Sequence, residues 1–164
     1  MKKEYESKNL KNSIYDGAAY SAAVGAGESY VAPYALFRGA TAEYLGLLAS
    51  LPALFGALFQ LSAPYVLNKF KNRKGIVLFV VFLNALSWLL MLSTVLISAE
   101  IALVLLPIFF TFYATTNAFA GTLWASWIAD LVPKHIRSQF FGKRNAITQL
   151  VSLISTLLAG VLLG

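Results

Sequence analysis

The chain has 164 residues, 59% of them hydrophobic and 12% charged, about half the charged fraction of an ordinary soluble domain. Mean hydropathy is +0.70, the formal net charge is +6, and there is one histidine and no cysteine. These figures exclude a soluble globular domain, which would lack the polar residues to cover its surface, and they exclude disulfide frameworks, thiolate metal sites, multi-histidine metal sites and cysteine nucleophiles.

Residues 1–15, "MKKEYESKNLKNSIY", are polar and basic. The apolar stretch that follows is long and carries Glu28, unlike the short clean core of a cleavable signal, so 1–15 reads as a retained cytoplasmic tail before a transmembrane helical domain over 16–164. A membrane-crossing helix needs about 20 apolar residues. Spans are expected at 17–37, 44–67, 76–97, 101–128 and 146–164. The first is the weakest, because Glu28 interrupts it, and the second, third and fourth contain no charged residue. The expected fold is an all-α membrane protein, a polytopic bundle of four to five transmembrane helices.

The connections are "RGATAE", "NKFKNRKG", "SAE" and "ADLVPKHIRSQFFGKRN". Short connections imply antiparallel neighbours. With the N-terminus inside, the tail and the second and fourth connections gather every basic residue except Arg38 on the cytoplasmic side. That asymmetry predicts the orientation and accounts for the basic charge without nucleic acid as a partner; the partner is the lipid bilayer, with anionic headgroups against the basic connections. Tyr34, Phe37 and Tyr44 on the outer side, and Trp124 and Trp127 on the inner side, suit the headgroup regions. Pro33, Pro52, Pro64 and Pro107 fall within the spans and predict bent helices.

Glu28 is twelve residues after Asp16 and ten before Arg38, hence near the midplane. A charge there costs about 2.5–3.5 kcal/mol on insertion scales. Gly17, Ser21, Gly25 and Glu28 follow 4-4-3 spacing, so the carboxylate shares a face of small residues that should turn from lipid towards the bundle or a wet cavity. Two readings stand side by side: a proton-coupling or substrate-binding carboxylate, or a structural Glu hydrogen-bonded to neighbouring helices. In the fourth span Tyr113, Asn117, Gly121 and Trp124 repeat the 4-4-3 spacing, with Asn117 near mid-depth as a polar cavity group or as interhelical glue. Gln60 and Asn84 read as glue. No phosphate loop, dinucleotide fingerprint, metal cluster or catalytic constellation is present, so neither an enzyme nor a cofactor is expected.

The segments "DGAAYSAAVGAGESY", "GLLASLPALFGALFQLSAP" and "WASWIADLVPKHIRSQFFGKRN", together with a basic connection after the second span and a long basic one after the fourth, resemble the major facilitator superfamily over essentially the whole chain. The likeness is to the N-terminal portion, about the first five of twelve helices, of a prokaryotic branch with poorly defined substrates. The superfamily signature after the second span, Gly-x-x-x-Asp-Arg-x-Gly-Arg-Arg/Lys, meets "PYVLNKFKNRK" here. Pro64 stands for the first Gly, Asn68 for Asp, Lys69 for Arg, Lys71 for the second Gly and Asn72 for the next Arg, while Arg73 matches; the usual ion-pair latch therefore lacks its carboxylate.

The resemblance implies secondary active transport of a small solute by alternating access, in the plasma membrane of a prokaryote. Glu28, Tyr113 and Asn117 would then lie beside a central cavity. Asp130, Arg137 and Arg144, with Arg73, would form a cytoplasmic gating network whose ion pairs break and re-form, where the residues alone equally allow a solvated loop whose exposed pairs contribute about 0–1 kcal/mol. It also implies an incomplete chain, a fragment of a longer transporter whose C-terminal half, or a partner subunit in its place, is missing. Two rivals are a small dimeric multidrug-type exporter, disfavoured by the fifth span and the long basic connection, and a non-transporting membrane interaction or assembly protein.

Overall fold

In a computed structural model the backbone is described for residues 2–69 and 72–163, and side chains for residues 10–69, 72, 74–129 and 131–163. Every regular element among the described residues is helical: α1 (Lys2–Ala26), α2 (Val31–Phe37), α3 (Ala42–Gln60), α4 (Ala63–Lys69), α5 (Arg73–Ser93), α6 (Ala99–Leu131) and α7 (Arg137–Leu163). Single 3-10 turns lie at Glu28–Tyr30, Thr94–Leu96 and Lys134–Ile136. Four helical stretches are long and apolar enough to cross a membrane: Ala42–Lys69, Lys74–Leu96, Ala99–Ala129 and Lys134–Leu163. The chain is an all-α, polytopic integral membrane protein.

The expected first span, 17–37, is not among those four. A break at Gly27 divides its apolar part into 17–26 and α2, and neither piece alone reaches the length a crossing requires. The cause is local. Pro33 has no N–H to give the Ser29 carbonyl, and its ring crowds that carbonyl, so an uninterrupted α-helix through residue 29 is disfavoured. Pro64 acts in the same way on Gln60, and α3 yields to α4 at Leu61–Ser62. Pro52 and Pro107 stay inside their helices.

Two further boundaries differ from expectation. α1 runs unbroken from Lys2 through the described part of residues 1–15 into the apolar stretch, so no helix end marks the expected boundary at residue 15. The long fourth connection is mostly helix, since α6 continues to Leu131 and α7 starts at Arg137.

Helix ends follow residue chemistry. Thr41 caps α3 by accepting from the Tyr44 N–H, and Asn72 caps α5 by accepting from the Gly75 N–H at 3.0 Å. α2 ends in Gly39 at φ +94°, the Gly39 N–H donating to Leu36 O and the Ala40 N–H to Ala35 O, both at 2.9 Å. This paired closure favours glycine because a Cβ is strained at positive φ.

The chain divides into two compact units, residues 1–33 with 129–164, and residues 34–128. In the first, α1 packs along α7. In the second, Ala63, Val77, Val80, Ala120 and Leu123 form a buried cluster joining α4, α5 and α6. Large apolar side chains such as Leu54, Phe79, Val104 and Leu157 are exposed along the spans, as befits surfaces solvated by lipid rather than water.

Candidate functional site

The first unit holds Glu28. On α1, Ser13, Gly17, Ser21 and Gly25 recur every fourth residue; all four are buried, Gly17 and Gly25 directly against α7. On α7 the facing stripe is Arg144, Thr148, Ser152, Thr156 and Gly160, again at steps of four. Within a bilayer such a contact gains little from hydrophobicity and depends on close backbone approach and hydrogen bonds. Both are present. A Cβ on Gly25 would lie 2.4 Å from Ser152 O. Arg144 Nε donates to Ser13 O at 3.2 Å, and its guanidinium lies over Gly17. The small-residue face is thus spent on helix packing. Glu28 lies beyond it, half-buried, at the first position of the 3-10 turn.

The break around Glu28 is chemically sealed. The turn runs on short-range bonds, the Tyr30 N–H to Gly27 O and the Val31 N–H to Glu28 O. Two carbonyls in the last turn of α1 take hydroxyl donors instead: Ser29 Oγ reaches Val24 O at 3.4 Å, and Thr156 Oγ1 reaches Gly25 O at 3.1 Å while also lying 2.9 Å from Ser152 O. The Tyr30 hydroxyl donates to Thr156 O at 2.6 Å, in a space that Gly160 leaves open. Broken membrane helices are tolerated where neighbours satisfy the backbone in this way.

In the same unit Arg137 donates through Nη2 to Ala129 O and, at 3.3 Å, to Val132 O. It caps the carbonyl end of α6, where a cation suits both the unpaired carbonyls and the helix dipole. The side chains of Asp130 and Arg73, expected in the gating network, lie outside the described residues.

In the second unit Tyr113 is buried, edge-on to Trp88 with ring centroids 5.1 Å apart and stacked on Phe110. Asn117 is half-buried one turn along α6. Asn84 Nδ2 donates to Tyr113 O at 3.1 Å and to Thr116 Oγ1 at 3.2 Å, and Gln60 Nε2 to Ala118 O at 3.3 Å. Asn84 and Gln60 make the interhelical bonds expected of them.

Arg38, the exception to the basic asymmetry, donates through Nη2 to Ile97 O and, at 3.4 Å, to Thr94 O, closing the carbonyl end of the helical stretch after α5. Its guanidinium carbon is 5.8 Å from the Tyr34 ring centroid, and the Tyr34 hydroxyl accepts from Thr94 Oγ1 at 3.1 Å. Arg38 and Arg137 therefore do the same work on two different helix ends.

Tyr30, Thr156 and Gly160 were not among the residues expected from sequence to matter. The available signal was the Thr148–Ser152–Thr156–Gly160 stripe, which matches the small-residue stripe of α1 in period. Among the described residues no group of acidic or histidine side chains forms a metal site.

No curated protein and no solved structure matches the chain. The family model described as Major Facilitator Superfamily matches residues 17–164. Together with four helices of membrane-crossing length, that match has one reading: the chain belongs to the major facilitator superfamily, a family of membrane transporters.

Proposed function

We propose that the chain takes part in secondary active transport of a small solute by alternating access, with Glu28 as the proton-coupling or substrate-binding carboxylate. The observation that carries this is the placement of an ionisable residue in the broken turn of a helix, in a family that moves solutes across membranes. Ionisable groups at membrane depth are costly and mark pathways for ions or substrates, and interrupted helices are where transporters build their sites. In this reading 17–37 crosses the bilayer as a broken helix. Tyr113 and Asn117 are polar wall groups contributed by α6. Arg137 and Arg144, with Asp130 and Arg73, form the inner gate, the first two through the carbonyls they hold. Transport needs the second half of the fold, from continuing chain or from a partner subunit. The N-terminus is cytoplasmic and the membrane is the prokaryotic plasma membrane.

The test is Glu28→Gln in the complete transporter. A panel of labelled small solutes first identifies one whose uptake into cells depends on the protein. Glu28→Gln keeps the shape and a hydrogen-bonding head but cannot titrate. If Glu28 couples protons, uphill uptake driven by a pH gradient is lost while solute exchange persists. If Glu28 binds a cationic solute, affinity falls and the proton current remains. Uptake, affinity and pH dependence all at wild-type values would sink the proposal.

A further inference from the structure

We infer that Thr156 and Tyr30 are positioning residues for Glu28: one residue of α7 grips the chain on both sides of the carboxylate and fixes the broken turn that carries it. The single hydroxyl proton of Thr156 is shared between the carbonyl of Gly25, three residues before Glu28, at 3.1 Å, and Ser152 O of its own helix at 2.9 Å. The main-chain carbonyl of the same residue receives the hydroxyl of Tyr30, two residues after Glu28, at 2.6 Å. The Thr156–Gly25 and Tyr30–Thr156 bonds join segments more than a hundred residues apart in sequence, so neither is a by-product of local helix geometry.

The surroundings leave little slack. Ser152 O lies too close to Gly25 for a side chain to intervene, and Gly160 leaves room for the Tyr30 hydroxyl, which a Cβ there would approach to 2.8 Å. Unpaired carbonyls are expensive in a bilayer. Without the Thr156 hydroxyl the Gly25 carbonyl must find another donor, and a partial extension of α1 that brings the Ser29 N–H to it, stopping short of the Ser29 carbonyl that Pro33 blocks, is the local alternative. That extension would rotate Glu28 about the helix axis. The bracket therefore sets where the carboxylate points. Its functional meaning rests on the role proposed for Glu28, but its test does not.

The probe is dicyclohexylcarbodiimide, an apolar reagent that modifies protonated carboxyls in membranes, applied to the full chain in native membrane vesicles. Labelling of the Glu28 peptide is followed by mass spectrometry as a function of pH, with Glu28→Gln as the zero. Thr156→Val removes the hydroxyl at constant volume, and Tyr30→Phe removes only the second bond. Both are expected to change the labelling rate by about tenfold at a given pH, or to displace its pH profile by about one unit, the same factor. Thr156→Ser restores the hydroxyl and should restore the wild-type profile. Thr148→Val is the control: it lies on the same covered face of α7, but its hydroxyl bonds only to Asn145 O in its own helix, and it should label as wild type.

Wild-type rate and profile in both Thr156→Val and Tyr30→Phe would overturn the inference, as would an equal change in Thr148→Val, which would mean general loosening of the helix pair. Should Thr156→Val fail to accumulate, Tyr30→Phe decides alone. Glu28→Gln without effect on uptake would end the functional reading and leave the labelling result standing; unchanged labelling beside a coupling defect in Glu28→Gln would end only this inference.

Discussion

Gly25→Ala puts the α1–α7 contact under the sharpest strain a single methyl can apply. The new Cβ would lie 2.4 Å from Ser152 O, 3.0 Å from Ser155 Cβ and 3.1 Å from Ser152 C, where ordinary contact begins at 3.4 Å. The obstacle at Ser152 is backbone, so it cannot swing aside, and α1 must retreat from α7 by about 1 Å or tilt. Overpacking of this kind costs about 1–3 kcal/mol. Retreat also stretches the Thr156–Gly25 hydrogen bond, a class worth about 0.6 kcal/mol in membrane proteins. Against this, Ala is preferred to Gly inside a helix by about 1 kcal/mol. The net expectation is destabilisation by about 0.5–2.5 kcal/mol. The assay is unfolding of the purified full chain in mixed micelles by titration with sodium dodecyl sulfate, followed by circular dichroism. Gly46→Ala in α3 and Gly121→Ala in α6 are the references, because a Cβ at either meets nothing within 4 Å; they should be neutral or slightly stabilising. If Gly25→Ala unfolds at the same detergent fraction as Gly46→Ala, the close approach of the two helices is refuted.

Gly39→Ala should cost about 1–2 kcal/mol by the same assay through backbone strain alone, since its Cβ meets no atom but its φ is +94°; loss of no stability would mean α2 ends differently. Arg38→Gln should cost about 1–3 kcal/mol by leaving the Thr94 and Ile97 carbonyls short of a donor, and equal unfolding of variant and wild type would mean that Arg38 does not cap that helix end. For orientation, a cysteine placed at Ser7, Asn72 or Ser138 should be shielded from an impermeant thiol reagent in intact cells, and one at Thr41 or Ala99 should react; reaction at position 72 from outside would reverse the assignment.

The apolar runs 44–67, 76–97 and 101–128 were legible because nothing in them competes with the helix–bilayer match in length, and three of the four membrane-length helices fall where those runs do. The fourth, Lys134–Leu163, starts well before 146. Its first turns carry Lys134, Arg137, Lys143 and Arg144, and charge count marked them as connection, whereas Arg137 and Arg144 sit on a helix with their charges on backbone carbonyls. The break at Gly27 was foreshadowed by Pro33, but hydropathy is blind to it. The Gly17–Ser21–Gly25 face was found from its spacing. Its partner was not, because a stripe of Thr, Ser and Gly on α7 does not stand out from the apolar residues around it as an oily face does from polar ones. Arg38 looked like an exception to a charge rule; only the proximity of Thr94 and Ile97, 56 and 59 residues away in sequence, explains it.

The pairing of α1 with α7 has a consequence in time. Arg144 and Thr156 each hold a carbonyl 131 residues earlier in the chain. At translation rates of about 5–20 residues per second, α1 leaves the ribosome about 7–26 s before these partners do. Throughout that interval its glycine face is open, and any small-residue helix inserted nearby competes for it. The α1–α7 contact is therefore still unmade while the three membrane-length stretches between those helices, Ala42–Lys69, Lys74–Leu96 and Ala99–Ala129, have already been synthesised. A slow codon run or a pause before α7 would lengthen the exposure of α1 rather than of the middle helices, so mis-pairing during biogenesis should concentrate on this one groove.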